Sequence, residues 1–167
     1  MPSLFDKLHE NTTNPLDNIE DILHANDWAF NRMTDNELTV QLSGKFCGYV
    51  LIFLWQPDLG GLQLSVQYDI TIHPINIGEA AKILTTLNER TWMGHFEIPR
   101  ETCTPGFRYT ALISPDSKHA YAQLENIVDI AIAQCETNYT AFSLLTGEGA
   151  ANDETLPLAL METQGRS

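Results

Sequence analysis

Residues 76–114, NIGEAAKILTTLNERTWMGHFEIPRETCTPGFRYTALIS, decide the fold. Ala80, Ile83, Leu84 and Leu87 recur at helical spacing and predict a helix over about Gly78 to Thr91. Gly94 to Ile98 and Phe107 to Ser114 then read as two strands, joined by a loop that holds Pro99, Pro105 and Gly106. A helix feeding an antiparallel pair with so little slack is the centre of an α+β domain.

Ahead of this stretch the periodicity is mostly two. Trp28 and Phe30 open an early strand, and Thr34-Asp35-Asn36 is a turn. Leu38, Val40 and Leu42 alternate with polar residues, and Gly44-Lys45 turns into a strand over Phe46 to Gln56. That strand is apolar on both faces and is expected at the centre of the sheet. After the Pro57 to Gly61 turn, Leu62, Leu64, Val66 and Tyr68 alternate with Gln63, Ser65, Gln67 and Asp69, so this strand is expected to be half exposed. The antiparallel sheet is thus a three-strand meander with one extra early strand, then a helix and two further strands, with flanking helices.

The flanks follow. Asn14 as N-cap, Pro15 in the first turn and Asp17 reaching back predict a helix to about His24, with Leu16, Ile19, Ile22 and Leu23 on its apolar face. Ser114 or Asp116 is placed to cap a long helix reaching about Thr146, with Tyr121, Leu124, Ile127, Val128, Ala131, Cys135 and Phe142 as its stripe. The organisation expected is a flexible segment over 1–13, a single α+β domain over 14–146, and a hinge with a short helix or tail over 147–167.

Composition narrows the function. The 167 residues include 22 acidic and 9 basic side chains, a net charge of −13, with acid concentrated towards the ends. Such a surface disfavours nucleic acid and anionic membranes, and favours basic or amphipathic partners. Met1 to Glu10 has no apolar stretch of signal length, and the longest apolar run, Gly48 to Trp55, is too short to span a bilayer. A cytoplasmic location is expected. Cys47, Cys103 and Cys135 form no C-x-x-C pair and read as free thiols, Cys47 in a strand and Cys135 on a helix.

Signatures of catalysis are missing. Gly147 and Gly149 follow a helix rather than a strand, beside Glu148, so they do not form a phosphate cradle. No G-x-S-x-G elbow occurs, and the five histidines stand far apart, with none at ligand spacing from another His or Cys. Neither enzymatic activity, cofactor nor metal is expected. Two side chains in the deciding stretch draw attention. His95 points away from the buried side of Phe96, and Arg108 faces opposite to Phe107 and Tyr109, where Glu97 on the neighbouring strand can pair with it.

The stretches Asn14-Pro15-Leu16-Asp17 with Glu20, Asn88-Glu89-Arg90 through Trp92 and Gly94-His95-Phe96, Phe107-Arg108, Ala141-Phe142 and Glu162 to Gly165 resemble, in order and spacing, the YbjN family, described as "putative bacterial sensory transduction regulators". The resemblance implies a fold similar to type III secretion chaperones, which are small, acidic and usually dimeric, and hold an extended segment of another protein. It carries over no catalytic residue. The Arg166-Ser167 ending departs from the family pattern.

The leading expectation is a non-enzymatic, homodimeric, chaperone-like regulatory module that binds a client protein, with Glu20, Asp21 and Asp27 exposed on the first helix and its exit as client-docking acids. The alternative is a small-molecule sensing domain, its ligand held between sheet and helix by Trp28, Tyr49, Phe53, Trp55 and Tyr68.

Overall fold

In the computed structural model, residues 13–147 are described. The segments expected as a flexible start (1–12) and as the helix or tail after Gly147 lie outside the described residues. Helix α1 (Pro15–Ala25) starts where Asn14 accepts a hydrogen bond from the Leu16 N–H on its side-chain oxygen, at 2.9 Å. The Asp17 carboxylate turns to Arg32, 3.5 Å away. Strands β1 (Phe30–Thr34), β2 (Glu37–Ser43), β3 (Gly48–Gln56) and β4 (Gly61–Tyr68) follow as an antiparallel meander. Trp28 lies just before β1, and Cys47 lies in the bend before β3 rather than in the strand. A single 3-10 turn, Pro74–Asn76, leads into α2 (Ile77–Arg90). The last elements are β5 (His95–Glu97), β6 (Gly106–Leu112) and α3 (Ala120–Ser143).

The sheet has six strands in the order β1-β2-β3-β4-β6-β5. After α2 the chain returns at the far edge as β5, and β6 slots in between β5 and β4. Leu38, Val40, Tyr49, Leu51, Phe53, Trp55, Leu62, Leu64, Val66, Phe107 and Phe96 line one face, where the helices cover them. β3 is interior, as its apolar run predicts, yet only alternate residues are buried. Val50 and Ile52 are half-buried and Leu54 is exposed, because no helix among the described residues covers that face.

Helix α3 begins at Ala120, later than Ser114 or Asp116. Ser114 and Ser117 are spent on two successive turns, in which Ser117 N–H donates to the Ser114 carbonyl and Ala120 N–H to that of Ser117, each at 3.0 Å. Tyr121 is exposed and is not part of the stripe; the other six expected residues are buried. Gly94 has φ +76°, and a Cβ there would stand 2.5 Å from the Phe107 ring, so only glycine lets the chain enter β5. Asn76, the first residue of the deciding stretch, is buried, and its amide donates to the carbonyls of Leu145 and Gly147, both at 2.9 Å. It ties the end of α3 to the start of α2.

Candidate interaction surface

The two edges of the sheet differ. β5 is hydrogen-bonded to β6 on one side, and on the other the Asn88 side chain, from α2, takes both main-chain groups of Phe96. Among the described residues β1 pairs only with β2. An edge strand with unclaimed main-chain groups is a template for another strand. Arg32 partly blunts it, since its guanidinium donates to the Thr34 and Asp35 carbonyls at 2.9 and 2.8 Å.

The open face joins this edge. Thr39 and Gln41 on β2, Val50, Ile52 and Leu54 on β3, and Gln63 and Ser65 on β4 stand together there, polar residues around an apolar strip on β3. At the far side of the same face lies the predicted pair. Arg108 Nη2 and Nε both donate to Glu97 Oε1, at 2.7 and 3.1 Å, and His95, opposite Arg108 in register, has Nε2 3.8 Å from Glu97 Oε2. Three of the residues singled out in the sequence thus meet in one cluster. A partly exposed ion pair of this kind contributes at most about 1 kcal/mol, so its main effect is to hold β5 and β6 in register.

Glu20, Asp21 and Asp27 are not equivalent. Asp21 and Asp27 are exposed as expected. Glu20 is half-buried and faces Arg32 Nη1 at 2.7 Å, which corrects its reading as a free docking acid. No signal in the sequence tied Arg32 to Glu20, because the two meet only when β1 folds beside α1. Asp27 has φ +56°, a conformation that a short polar side chain tolerates at the end of a helix.

The aromatics proposed to hold a ligand fill the core instead. Tyr49, Phe53, Trp55 and Tyr68 are buried and Trp28 is half-buried. The Tyr49 and Tyr68 rings meet edge to face at 5.4 Å, and Tyr68 packs on Phe142 at 5.3 Å. The Tyr68 hydroxyl donates to the Cys135 carbonyl at 2.7 Å, whereas the buried Tyr49 hydroxyl has only the Cys47 thiol, a weak hydrogen-bonding group, beside it. Burial pushes both phenols and the Cys135 thiol above their ordinary values, and the Cys47 thiol likewise. Such thiols are weak nucleophiles at neutral pH. Surface hollows among the described residues are open, one of them about 500 Å³ between β6 and α3. Among the described residues no three His, Cys, Asp or Glu side chains gather as a metal site, and no helix is long and apolar enough to cross a membrane.

An open antiparallel sheet of six strands backed by three helices among the described residues places the chain among α+β proteins. Within that class it belongs to the YbjN family: the family profile, described as "Putative bacterial sensory transduction regulator", matches residues 15–144. The family name assigns a regulatory role. The fold is similar to that of "YbjN, a putative transcription regulator from E. coli", with a TM-score of 0.52 and 11% identity over 71% of this chain and 84% of that one. At that identity the likeness concerns the fold alone. No curated protein sequence matches.

Proposed function

We propose that this regulator acts without catalysis, as a homodimeric, chaperone-like module that holds an extended segment of a client protein along the β1 edge and the open sheet face. The observation that carries the reading is the asymmetry of the edges: Asn88 closes β5, while among the described residues β1 keeps one side unpaired. Strand addition supplies main-chain hydrogen bonds from such an edge, and alternate side chains of the added segment reach the neighbouring face. Val50, Ile52 and Leu54 supply apolar contact there, and the net charge of −13 favours a basic or amphipathic segment. The small-molecule sensor finds less support, since its aromatics are spent on packing.

The test is affinity capture from native lysate with wild type and with Met33→Lys and Leu54→Lys, both at exposed positions. A reproducible protein lost in both variants, at unchanged unfolding midpoint, supports client binding. A reproducible small molecule with no protein replaces this reading with the sensor.

A further inference from the structure

Trp92 is 99% exposed, the most exposed of the large hydrophobic side chains. It does not sit on a loose loop. Thr91 Oγ1 donates to the Leu87 carbonyl at 2.8 Å behind it, and two residues ahead Gly94 is wedged against Phe107 and the Arg108 carbonyl. A tryptophan so presented leaves a large apolar surface in water, and anchors of this type are enriched at the centres of interfaces.

The next residue, Met93, lines a hollow of about 500 Å³ between β6 and α3 whose apolar side is Tyr109, Ala122, Ile127 and Ile130 and whose polar side includes Gln123 and Asn126. A projecting side chain and a hollow with an apolar wall and a polar rim, which suits an indole ring and its N–H, therefore stand next to each other along the chain. That is the condition for an isologous contact, in which the anchor of each copy enters the hollow of the other. A partner of another kind requires only one of the two features. Charge agrees: on a chain of net charge −13 two copies repel, and the wall of this hollow carries a single carboxylate, Asp129.

We propose that Trp92 is the anchor of self-association, each copy inserting it into the Met93–Tyr109–Ile127–Ile130 hollow of the other. This rests on the dimeric part of the function proposed above, and names its surface. The β1 edge plays no part in the contact, so client binding and assembly are separate.

The experiment is light scattering after size exclusion, with tryptophan emission, across a dilution series of the full chain. Trp92→Ala removes an exposed side chain, and Ala122→Arg fills the hollow from an exposed helix position, so both should keep the wild-type unfolding midpoint. Wild type should be a dimer whose emission shifts to the red on dilution. Each variant should raise the dimer dissociation constant at least about tenfold, a loss of about 1.4 kcal/mol, and Trp92→Phe should recover most of the affinity. A wild-type dimer indifferent to both variants overturns the Trp92 surface and leaves the dimeric reading standing. A monomer at every concentration overturns both, and blue-shifted Trp92 emission in that monomer shows the side chain closing on its own hollow instead.

Discussion

Asn88 pairs with Phe96 in both directions: Nδ2 donates to the Phe96 carbonyl at 3.1 Å, and Oδ1 accepts from the Phe96 N–H at 2.7 Å. A side-chain amide reproduces the donor and acceptor of a peptide group, so Asn88 does for β5 what a seventh strand would do. It also ties the last turns of α2 to the sheet edge. This explains an Asn near the end of a helix, where helix propensity gives it no advantage.

Asn88→Ala should therefore cost about 2 kcal/mol, since two part-buried main-chain groups lose their partner. Asn88→Asp keeps the acceptor for the Phe96 N–H but sets a carboxylate against the Phe96 carbonyl, and should cost at least as much. Denaturant titration reads the loss, and hydrogen exchange should show it first at the β5 amides. Wild-type stability in Asn88→Ala would show that water replaces the amide without loss.

Neighbouring positions on β3 should behave oppositely. Leu51 is fully buried and Leu54 is 39% exposed on the open face. Leu51→Ala should destabilise by about 2 to 5 kcal/mol, and Leu54→Ala by about 0.5 kcal/mol or less. Equal losses, measured by urea unfolding, would mean that the open face is covered in solution, as it would be if the dimer used it.

The two buried tyrosines should separate hydrogen bonding from packing. Tyr68→Phe loses the bond to the Cys135 carbonyl and should cost about 0.5 to 1.5 kcal/mol, since that carbonyl lies inside α3 and keeps its helical bond. Tyr49→Phe removes a hydroxyl whose neighbour is only the weakly bonding Cys47 thiol, and should be close to neutral.

Alkaline pH tests the same burial. Desolvation raises the Tyr68 phenol well above the ordinary value of 10.0. Between the two values the folded state keeps a proton that the unfolded chain releases, so unfolding releases protons and stability falls as pH rises. The contribution is fully present below about pH 10 and is lost above it. Unfolding free energy should start to drop near about pH 10 and keep falling as pH rises further, less steeply in Tyr68→Phe. A flat profile would mean that the phenol ionises without unfolding.

For the acidic surface, Asp21→Asn with Asp27→Asn should slow association with a captured basic client and flatten its salt dependence, with stability nearly unchanged, since both side chains are exposed and Asn also tolerates the positive φ of Asp27. Glu20→Gln should instead act on stability, by about 0.2 to 1 kcal/mol, through Arg32. Association rates across a salt series distinguish the two. Rates insensitive to salt in every variant would leave the acids a role in solubility alone.

The sequence by itself determined the elements and their order, because local rules govern both. Alternation on β2 and β4, the Asn14-Pro15 helix start and the helical spacing of Ala80, Ile83 and Leu87 are all read within a few residues, and each falls where expected. The Arg108–Glu97 pair was readable too, since two strands joined by a short loop leave little choice of partner. Tertiary structure alone decided what depends on distant segments meeting. Whether the second face of β3 is covered turns on where the helices pack, and an apolar run looks the same in either case. Arg32 reaches Glu20, Asn88 reaches Phe96 and Asn76 reaches Leu145 only after the chain has closed on itself. The start of α3 slipped past Ser114 because a serine that caps a turn and one that caps a helix offer the same local chemistry. Trp92 shows the limit most directly: in the sequence it is one more aromatic between the end of a helix and a strand, and only the packed chain leaves it wholly in solvent, next to Met93 and its hollow.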